Sequence, residues 1–167
     1  MFGEASEYKK ITTFIFALII LTFFYLFFFN SPKVLAIHGS GSYKELLVKN
    51  MPFTNSDKIK WWDNNRDKFI SYPETYNVSL WNFDGGYQTL APKNSGLFPD
   101  HDNDYLLCFD DMKKEANCID KSNWLMDISK TKDGYIYYRF NGESYYRKPS
   151  GELIKGNRFT TTTKPIS

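Results

Sequence analysis

The chain has 167 residues, with 21 Lys and Arg against 19 Asp and Glu, a net charge of +2 at pH 7. This near balance argues against a nucleic-acid or polyanion binder, which would carry a basic stripe. Aromatic residues make up 19% of the chain. Because aromatic and β-branched side chains fit a half-buried pleated surface, the composition favours β-sheet.

One long apolar segment lies near the N-terminus. Residues 11–29 contain no charge, no Pro and no Gly, and a helix of that length rises roughly 28 Å, about the thickness of a bilayer core. We predict a cytoplasmic segment 1–10, a transmembrane helix 11–29, one exported domain 30–155 and a flexible tail 156–167. A cleaved signal peptide is the alternative, but its apolar run is shorter and ends in a small-x-small cleavage site.

The lysines on either side of this segment bear on its orientation. Lys9 and Lys10 precede it directly, while Lys33, Lys44 and Lys49 follow it. Since the positive-inside rule weighs the charges nearest the helix, the Lys9-Lys10 pair favours a cytoplasmic N-terminus. The sequence therefore predicts a single-pass membrane protein with its C-terminal domain on the exported side.

The chain has two cysteines, Cys108 and Cys118. They flank a polar loop between two apolar arms, which predicts a hairpin and a disulfide with Cα atoms about 4.4–6.8 Å apart. Such a bridge stabilises by roughly 2–3 kcal/mol in the chain-entropy model. Because disulfides persist in the periplasm and are rare in the cytosol, the pair supports export. Two buried free thiols are the alternative.

The first half of the exported domain predicts two strands and a helix. Residues 33–38 and 44–48 are the strands, and Thr54 or Ser56 can cap a helix whose first turn contains Asp57. Apolar and amphipathic residues then recur at helical spacing: Ile59, Trp62, Arg66 and Phe69. We expect this helix to continue to Tyr72-Pro73, because a residue before Pro is pushed out of the helical region.

The second half predicts strands and turns. Residues 78–83 alternate as a strand and 84–87 form a tight turn. Segments 135–140 and 143–147 flank Asn141-Gly142, the dipeptide best suited to a type I′ hairpin. The predicted fold is α+β: a mainly antiparallel sheet of five to eight strands, with one helix packed on a face.

Three segments carry a resemblance to a known family. They are Leu46-Leu-Val-Lys-Asn-Met-Pro-Phe-Thr54 leading to Asp57-Lys-Ile-Lys-Trp-Trp62, then Trp81-Asn-Phe-Asp-Gly-Gly-Tyr87, and then Leu107-Cys-Phe-Asp-Asp-Met-Lys113 with Asn117-Cys-Ile119. The chain resembles the DUF943 family, small enterobacterial membrane proteins, over nearly its whole length. The resemblance implies an enterobacterial inner-membrane protein and brings no catalytic residue. Residues 92–104 form a longer loop than the family pattern, so nothing is carried over there.

Several motifs resemble parts of catalytic or metal sites. A calcium loop beginning at Asp100 would need Gly at its sixth position, where Tyr105 stands, so a solvated acidic loop is favoured. The segment from His38 to Ser42 resembles an oxyanion loop, but no Gly-x-Ser-x-Gly follows. Asp110-Asp111 forms a carboxylate pair that ordinary turn chemistry also explains. We predict no catalytic residue, no metal and no cofactor.

The aromatic residues are the candidates for partner binding. Neighbouring helix positions differ by about 100°, so Trp62 is expected in the core while Trp61 lies at its margin or outside. One face of the predicted hairpin must also remain outside the core and expose aromatic side chains, which interfaces favour. The candidate partner-binding residues are Trp61, Tyr135, Tyr137, Tyr145 and Tyr146.

Three functions are consistent with this sequence. The favoured one is a non-enzymatic, inner-membrane-tethered periplasmic binding protein, most concretely an immunity protein that neutralises an antagonistic toxin. The second is an envelope accessory subunit that binds another membrane protein. The third, an envelope hydrolase using Asp110 or Asp111, rests only on adjacent carboxylates being able to support acid/base chemistry.

Overall fold

Two α-helices and ten strands make up the computed structural model in the residues that it describes, 4–29, 31–71, 73–90 and 104–156. The helices are α1 (Glu4–Phe29) and α2 (Asn55–Asn65), with short 3-10 turns at Arg66–Lys68 and Lys121–Asn123. The strands are β1 (Lys33–His38), β2 (Tyr43–Lys49), β3 (Tyr76–Asn82), β4 (Gln88–Thr89), β5 (Leu106–Cys108), β6 (Ala116–Asp120), β7 (Trp124–Lys130), β8 (Ile136–Arg139), β9 (Ser144–Arg147) and β10 (Leu153–Lys155). The predicted α+β class is confirmed.

The N-terminal helix α1 is 26 residues long and contains the whole apolar segment 11–29. Large apolar side chains project from it and are exposed, among them Phe14, Phe16 and Leu21. Among the residues that the structure describes, no helix combines the length and apolar character needed to cross a bilayer. The predicted tail 156–167 lies outside the described residues after Gly156.

Helix α2 begins where the sequence predicts and ends earlier. The Thr54 hydroxyl accepts a hydrogen bond from the Asp57 backbone N–H at 3.1 Å, which caps the first turn. The helix ends at Asn65 rather than at Tyr72-Pro73. The Asn65 side chain donates to the Trp61 carbonyl at 2.8 Å, and such side-chain bonds compete with the helical backbone.

Seven strands form the main sheet, in the order β1-β2-β3-β7-β8-β9-β10. All neighbours are antiparallel except β2 and β3, which run parallel. Parallel neighbours need a crossover connection, and α2 supplies it. The strand number falls within the predicted range of five to eight.

Helix α2 packs on one face of this sheet, and the main core lies between them. Trp62 and Ile59 point from the helix into a cluster of fully buried residues: Leu46, Val48, Leu80, Met126, Ile128 and Tyr138. The predicted placement of Trp62 in the core is confirmed. On the opposite sheet face a second, smaller core contains Leu47, Trp81, Phe109 and Ile119.

A polar network also fixes α2 to the sheet. The buried Tyr138 hydroxyl donates to Asp63 Oδ1 at 2.7 Å, and the Arg147 guanidinium donates to the other oxygen of the same carboxylate. Burial raises the pKa of Tyr138 well above its ordinary value, so the hydroxyl stays a donor at any physiological pH. The network joins the helix to β8 and β9.

A separate three-stranded sheet, in the order β4-β6-β5, was not predicted. Cys108 and Cys118 lie directly opposite each other on β5 and β6 and form a disulfide with Cα atoms 3.9 Å apart. The predicted pairing is therefore confirmed, at a shorter Cα distance than the 4.4–6.8 Å expected. The Phe109 N–H donates to the Asn117 carbonyl, so Cys108 and Cys118 form the neighbouring non-hydrogen-bonded pair, which is the closer of the two kinds of antiparallel pair.

The predicted hairpin between β8 and β9 is confirmed, but its turn is of a different type. The Phe140 backbone N–H donates to the Glu143 carbonyl at 2.8 Å across Asn141-Gly142. Gly142 has a φ of 75° while Asn141 has a negative φ. A type I′ turn needs positive φ at both central residues, so the predicted turn type is wrong and its position right.

Candidate functional site

The sheet face opposite α2 carries a row of polar side chains. We call this face the open face and the row the polar row. Its members occupy mutually paired positions on six adjacent strands: His38, Glu45, Ser79, Asp127, Arg139 and Ser144. Because strand side chains alternate between faces, the members of the row on β2, β3, β7 and β8 point away from the main core that their sequence neighbours build.

Asp127 organises the exposed part of the polar row. Its carboxylate accepts hydrogen bonds from Trp124 Nε1 at 2.8 Å and from Arg139 Nε at 3.0 Å. The Arg139 side chain is 72% exposed, and its guanidinium lies 6.0 Å from the centre of the Trp124 ring. One edge of the guanidinium is thus held by Asp127 while the rest of the group faces solvent.

Glu45 occupies a drier position in the same row. The Trp81 indole N–H donates to its carboxylate. Burial raises the pKa of Glu45 above its ordinary range, while the hydrogen bonds from Trp81 and Ser79 oppose that shift. The row therefore changes from a half-buried carboxylate on β2 to an exposed guanidinium on β8.

His38 closes the buried end of the row. Its Nδ1 lies 3.0 Å from Asp111 Oδ2 and its Nε2 lies 2.7 Å from the Tyr87 hydroxyl. The imidazole stacks on Phe109 with ring centres 3.9 Å apart. Since both ring nitrogens are occupied by groups next to the small sheet, His38 connects β1 to that sheet.

Three tyrosines form a cluster beside the polar row. Ring centres lie 6.4 Å apart for Tyr135 and Tyr137, 6.3 Å for Tyr135 and Tyr146, and 6.3 Å for Tyr137 and Tyr146. Tyr137 pairs with Tyr146 across β8 and β9, so both emerge on the open face. We call these three residues the tyrosine cluster.

A shallow groove runs between the tyrosine cluster and the polar row. Its volume is about 540 Å³, and its lining includes Tyr43, Asn77, Asp127, Tyr137 and Arg139. Aromatic walls with a few oriented polar groups are typical of recognition sites. The groove offers two hydroxyl-bearing rings, an amide and a partly paired guanidinium to an occupant.

The five predicted partner-binding residues separate between the two sides of the sheet. Tyr135, Tyr137 and Tyr146 come together in the tyrosine cluster. Trp61 stacks on Phe69 at 6.2 Å at the margin of the main core. Tyr145 packs edge-on against Phe140 at 5.9 Å, also on the α2 side.

Sequence reasoning missed the polar row itself. A signal for it exists, because Asp127 lies between Met126 and Ile128, and Arg139 lies between Tyr138 and Phe140. A charged residue flanked by two buried ones on a strand must face the other way. Of the adjacent carboxylates Asp110 and Asp111, Asp111 binds His38, while Asp110 is exposed.

Comparison with known proteins places the chain in a family. Residues 4–157 match the family described as "Enterobacterial putative membrane protein (DUF943)". The chain belongs to the DUF943 family. This membership confirms the resemblance carried by the three sequence segments, and the family description supports membrane association. No curated protein and no solved structure matches this DUF943 chain.

Proposed function

We propose that this DUF943 protein is a non-enzymatic, single-pass inner-membrane protein whose periplasmic domain binds a protein partner through the open face. The observation that carries the proposal is the tyrosine cluster next to the oriented Arg139. Tyr and Arg are enriched in interface cores and among the residues that contribute most binding energy. The most concrete partner is a toxin, which would make this an immunity protein.

The proposed anchor is segment 11–29. It is helical within α1, carries exposed apolar side chains such as Phe14 and Phe24, and belongs to a chain of a family described as membrane proteins. Lys9 and Lys10 directly before it favour a cytoplasmic N-terminus.

The proposed periplasmic location is supported by the Cys108–Cys118 disulfide. Disulfides form and persist in the periplasm, whereas the cytosol keeps thiols reduced. Together with the anchor, this would hold the binding face close to the outer surface of the inner membrane.

A binding role accounts for the open face better than catalysis does. His38 has Asp111 on one ring nitrogen and Tyr87 on the other, which supports a structural role for both carboxylate and imidazole. Arg139, by contrast, is held by Asp127 yet remains exposed. An already oriented side chain loses less conformational freedom when a partner binds.

Membrane tethering fits the immunity role in particular. A tether confines the binding domain to the surface where an inner-membrane toxin acts, and so raises its effective concentration there. A non-enzymatic protein that acts by stoichiometric binding benefits most from that increase.

The test is growth competition between sibling strains. A deletion strain is mixed with its parent and complemented with wild type, Arg139→Glu or Lys60→Glu. Lys60 is the matched control, because its side chain is 70% exposed and paired with Asp57 on the α2 side. We expect deletion and Arg139→Glu to lose protection and Lys60→Glu to keep it.

Full resistance of the deletion strain would contradict the immunity role. Equal protection by Arg139→Glu and Lys60→Glu would contradict the assignment of the open face. If the deletion strain is resistant and the open face instead captures a resident envelope protein, the accessory-subunit alternative is selected.

A further inference from the structure

A fully exposed phenylalanine lies on the loop that follows β2. Phe53 is 100% exposed, although burying such a side chain is strongly favourable. Met51 and Pro52 precede it, and Asn50 adopts a left-handed φ of 58° that turns the chain out of the strand. We call residues 50–53 the Phe53 loop.

Sheet register places the Phe53 loop at the end of the sheet nearest the proposed anchor. Lys33, the first residue of β1, pairs with Lys49, the last residue of β2. The Phe53 loop begins immediately after Lys49. Residues 30–32 separate α1 from β1, and a chain of that length reaches at most roughly 14 Å. The Lys33–Lys49 end of the sheet is therefore held within that distance of the helix end.

Basic side chains accompany the exposed ring. Lys33 and Lys49 are exposed at the same sheet end, and Lys58 Nζ donates to the Phe53 carbonyl at 2.9 Å. Lys49 lies 3.9 Å from Asp84, at the limit of an ion pair and with about half its side chain exposed. Lysines around a projecting aromatic residue are complementary to an anionic lipid surface. The ring inserts into the interface, and the ammonium groups are attracted to the lipid phosphates.

We infer that the Phe53 loop is a second membrane contact of this protein, binding the anionic phospholipid interface beside the anchor. The inference rests on the proposed function, because α1 must hold the domain at the membrane. The contact would fix the sheet end-on to the bilayer. The open face would then be roughly perpendicular to the plane of the bilayer and accessible to a partner in the periplasm.

The test uses the full-length protein in cells with a photoreactive side chain, Phe53→p-benzoylphenylalanine. The matched control is Tyr43→p-benzoylphenylalanine, because Tyr43 is a 67% exposed aromatic residue at the opposite end of β2. Membranes from cells grown with radiolabelled phosphate are washed at alkaline pH and irradiated. The purified protein is then assayed for covalently bound phospholipid.

We expect position 53 to acquire roughly tenfold more lipid label than position 43. Transfer of a Phe-sized apolar side chain out of water is favourable enough to give a preference of at least that size. Lys33→Gln and Lys49→Gln should each lower the label at position 53 by roughly fivefold. Lys44→Gln, at the far end of β2, should leave it unchanged.

The contradicting outcomes are distinguishable. Protein retained in washed membranes with equal lipid label at positions 53 and 43, or with a protein adduct at 53 instead, overturns the inference and leaves the anchor intact. Protein released by the alkaline wash overturns the anchor and the inference together.

Discussion

The two faces of the seven-stranded sheet are built from the same strands and differ in almost everything else. On the α2 side, Leu80, Met126 and Tyr138 are fully buried against Trp62. On the open face, the intervening residues Ser79, Asp127 and Arg139 form a polar row that ends in solvent. Strand alternation thus gives one sheet a buried side that stabilises the fold and a polar side that is the proposed binding surface.

The largest expected effect is on the α2 side. Trp62→Ala should lower the free energy of unfolding by roughly 3–5 kcal/mol, because it empties a fully buried aromatic site. Trp61→Ala should cost much less, since Trp61 only partly packs on the core. Chemical denaturation of both variants measures this, and comparable losses would contradict the assignment of helix faces.

The next effect concerns the small sheet that covers part of the open face. Replacing Cys108 and Cys118 with Ala should lower the free energy of unfolding by roughly 2–3 kcal/mol, the value for a loop of this length. The mass of protein purified from intact envelopes should show the bridge formed. Free thiols in that material would contradict the periplasmic assignment.

A matched pair of tyrosines compares the faces directly. Tyr138→Phe removes the hydrogen bond to Asp63 from the α2 side and should cost about 1–2 kcal/mol. Tyr43→Phe, on the open face, should cost less than about 0.5 kcal/mol because that side chain is 67% exposed. Thermal unfolding of the two variants distinguishes them, and a reversed order would contradict the account.

The dependence of stability on acid pH tests the role of Glu143, which lies at the edge of the α2 side. Hydrogen bonds from Lys155, Asn55 and Tyr145 lower the pKa of Glu143 from 4.5 to about 2. Because the folded-state pKa is the lower one, this stabilisation is present above pH 4.5 and is lost as the pH falls toward 2. Glu143→Gln should therefore flatten the acid dependence of stability in that window. An unchanged acid profile would contradict the role of Glu143.

The sequence allowed much of the fold to be predicted because its signals are local. Thr54 caps α2, Asn141-Gly142 turns the hairpin, and Cys108 faces Cys118 as the residues themselves suggest. The separate small sheet was missed, because pairing of β4 with β6 depends on contacts between segments distant in sequence.

The candidate site was predicted only in part for a similar reason. Alternation requires Tyr145 and Tyr146 to face opposite sides, but which of them faces the core depends on where α2 packs. The polar row depends on the register between β3 and β7, which no local pattern contains. Asp127 and Arg139 could each be recognised as a charged residue between two buried ones, but their alignment across the sheet could not be predicted.

The most direct test of the two-sided account is a comparison of partner capture by charge-reversed variants. Cells expressing tagged full-length wild type, Arg139→Glu or Lys60→Glu are crosslinked intact, and co-purifying proteins are quantified by mass spectrometry. Thermal unfolding of each protein is measured alongside, because Arg139→Glu places a second carboxylate beside Asp127, and loss of the partner counts only for a variant that is folded at the temperature of capture. We predict that one partner is recovered with wild type and Lys60→Glu and lost with Arg139→Glu. Loss with Lys60→Glu, and retention with Arg139→Glu, would contradict the open face as the binding surface.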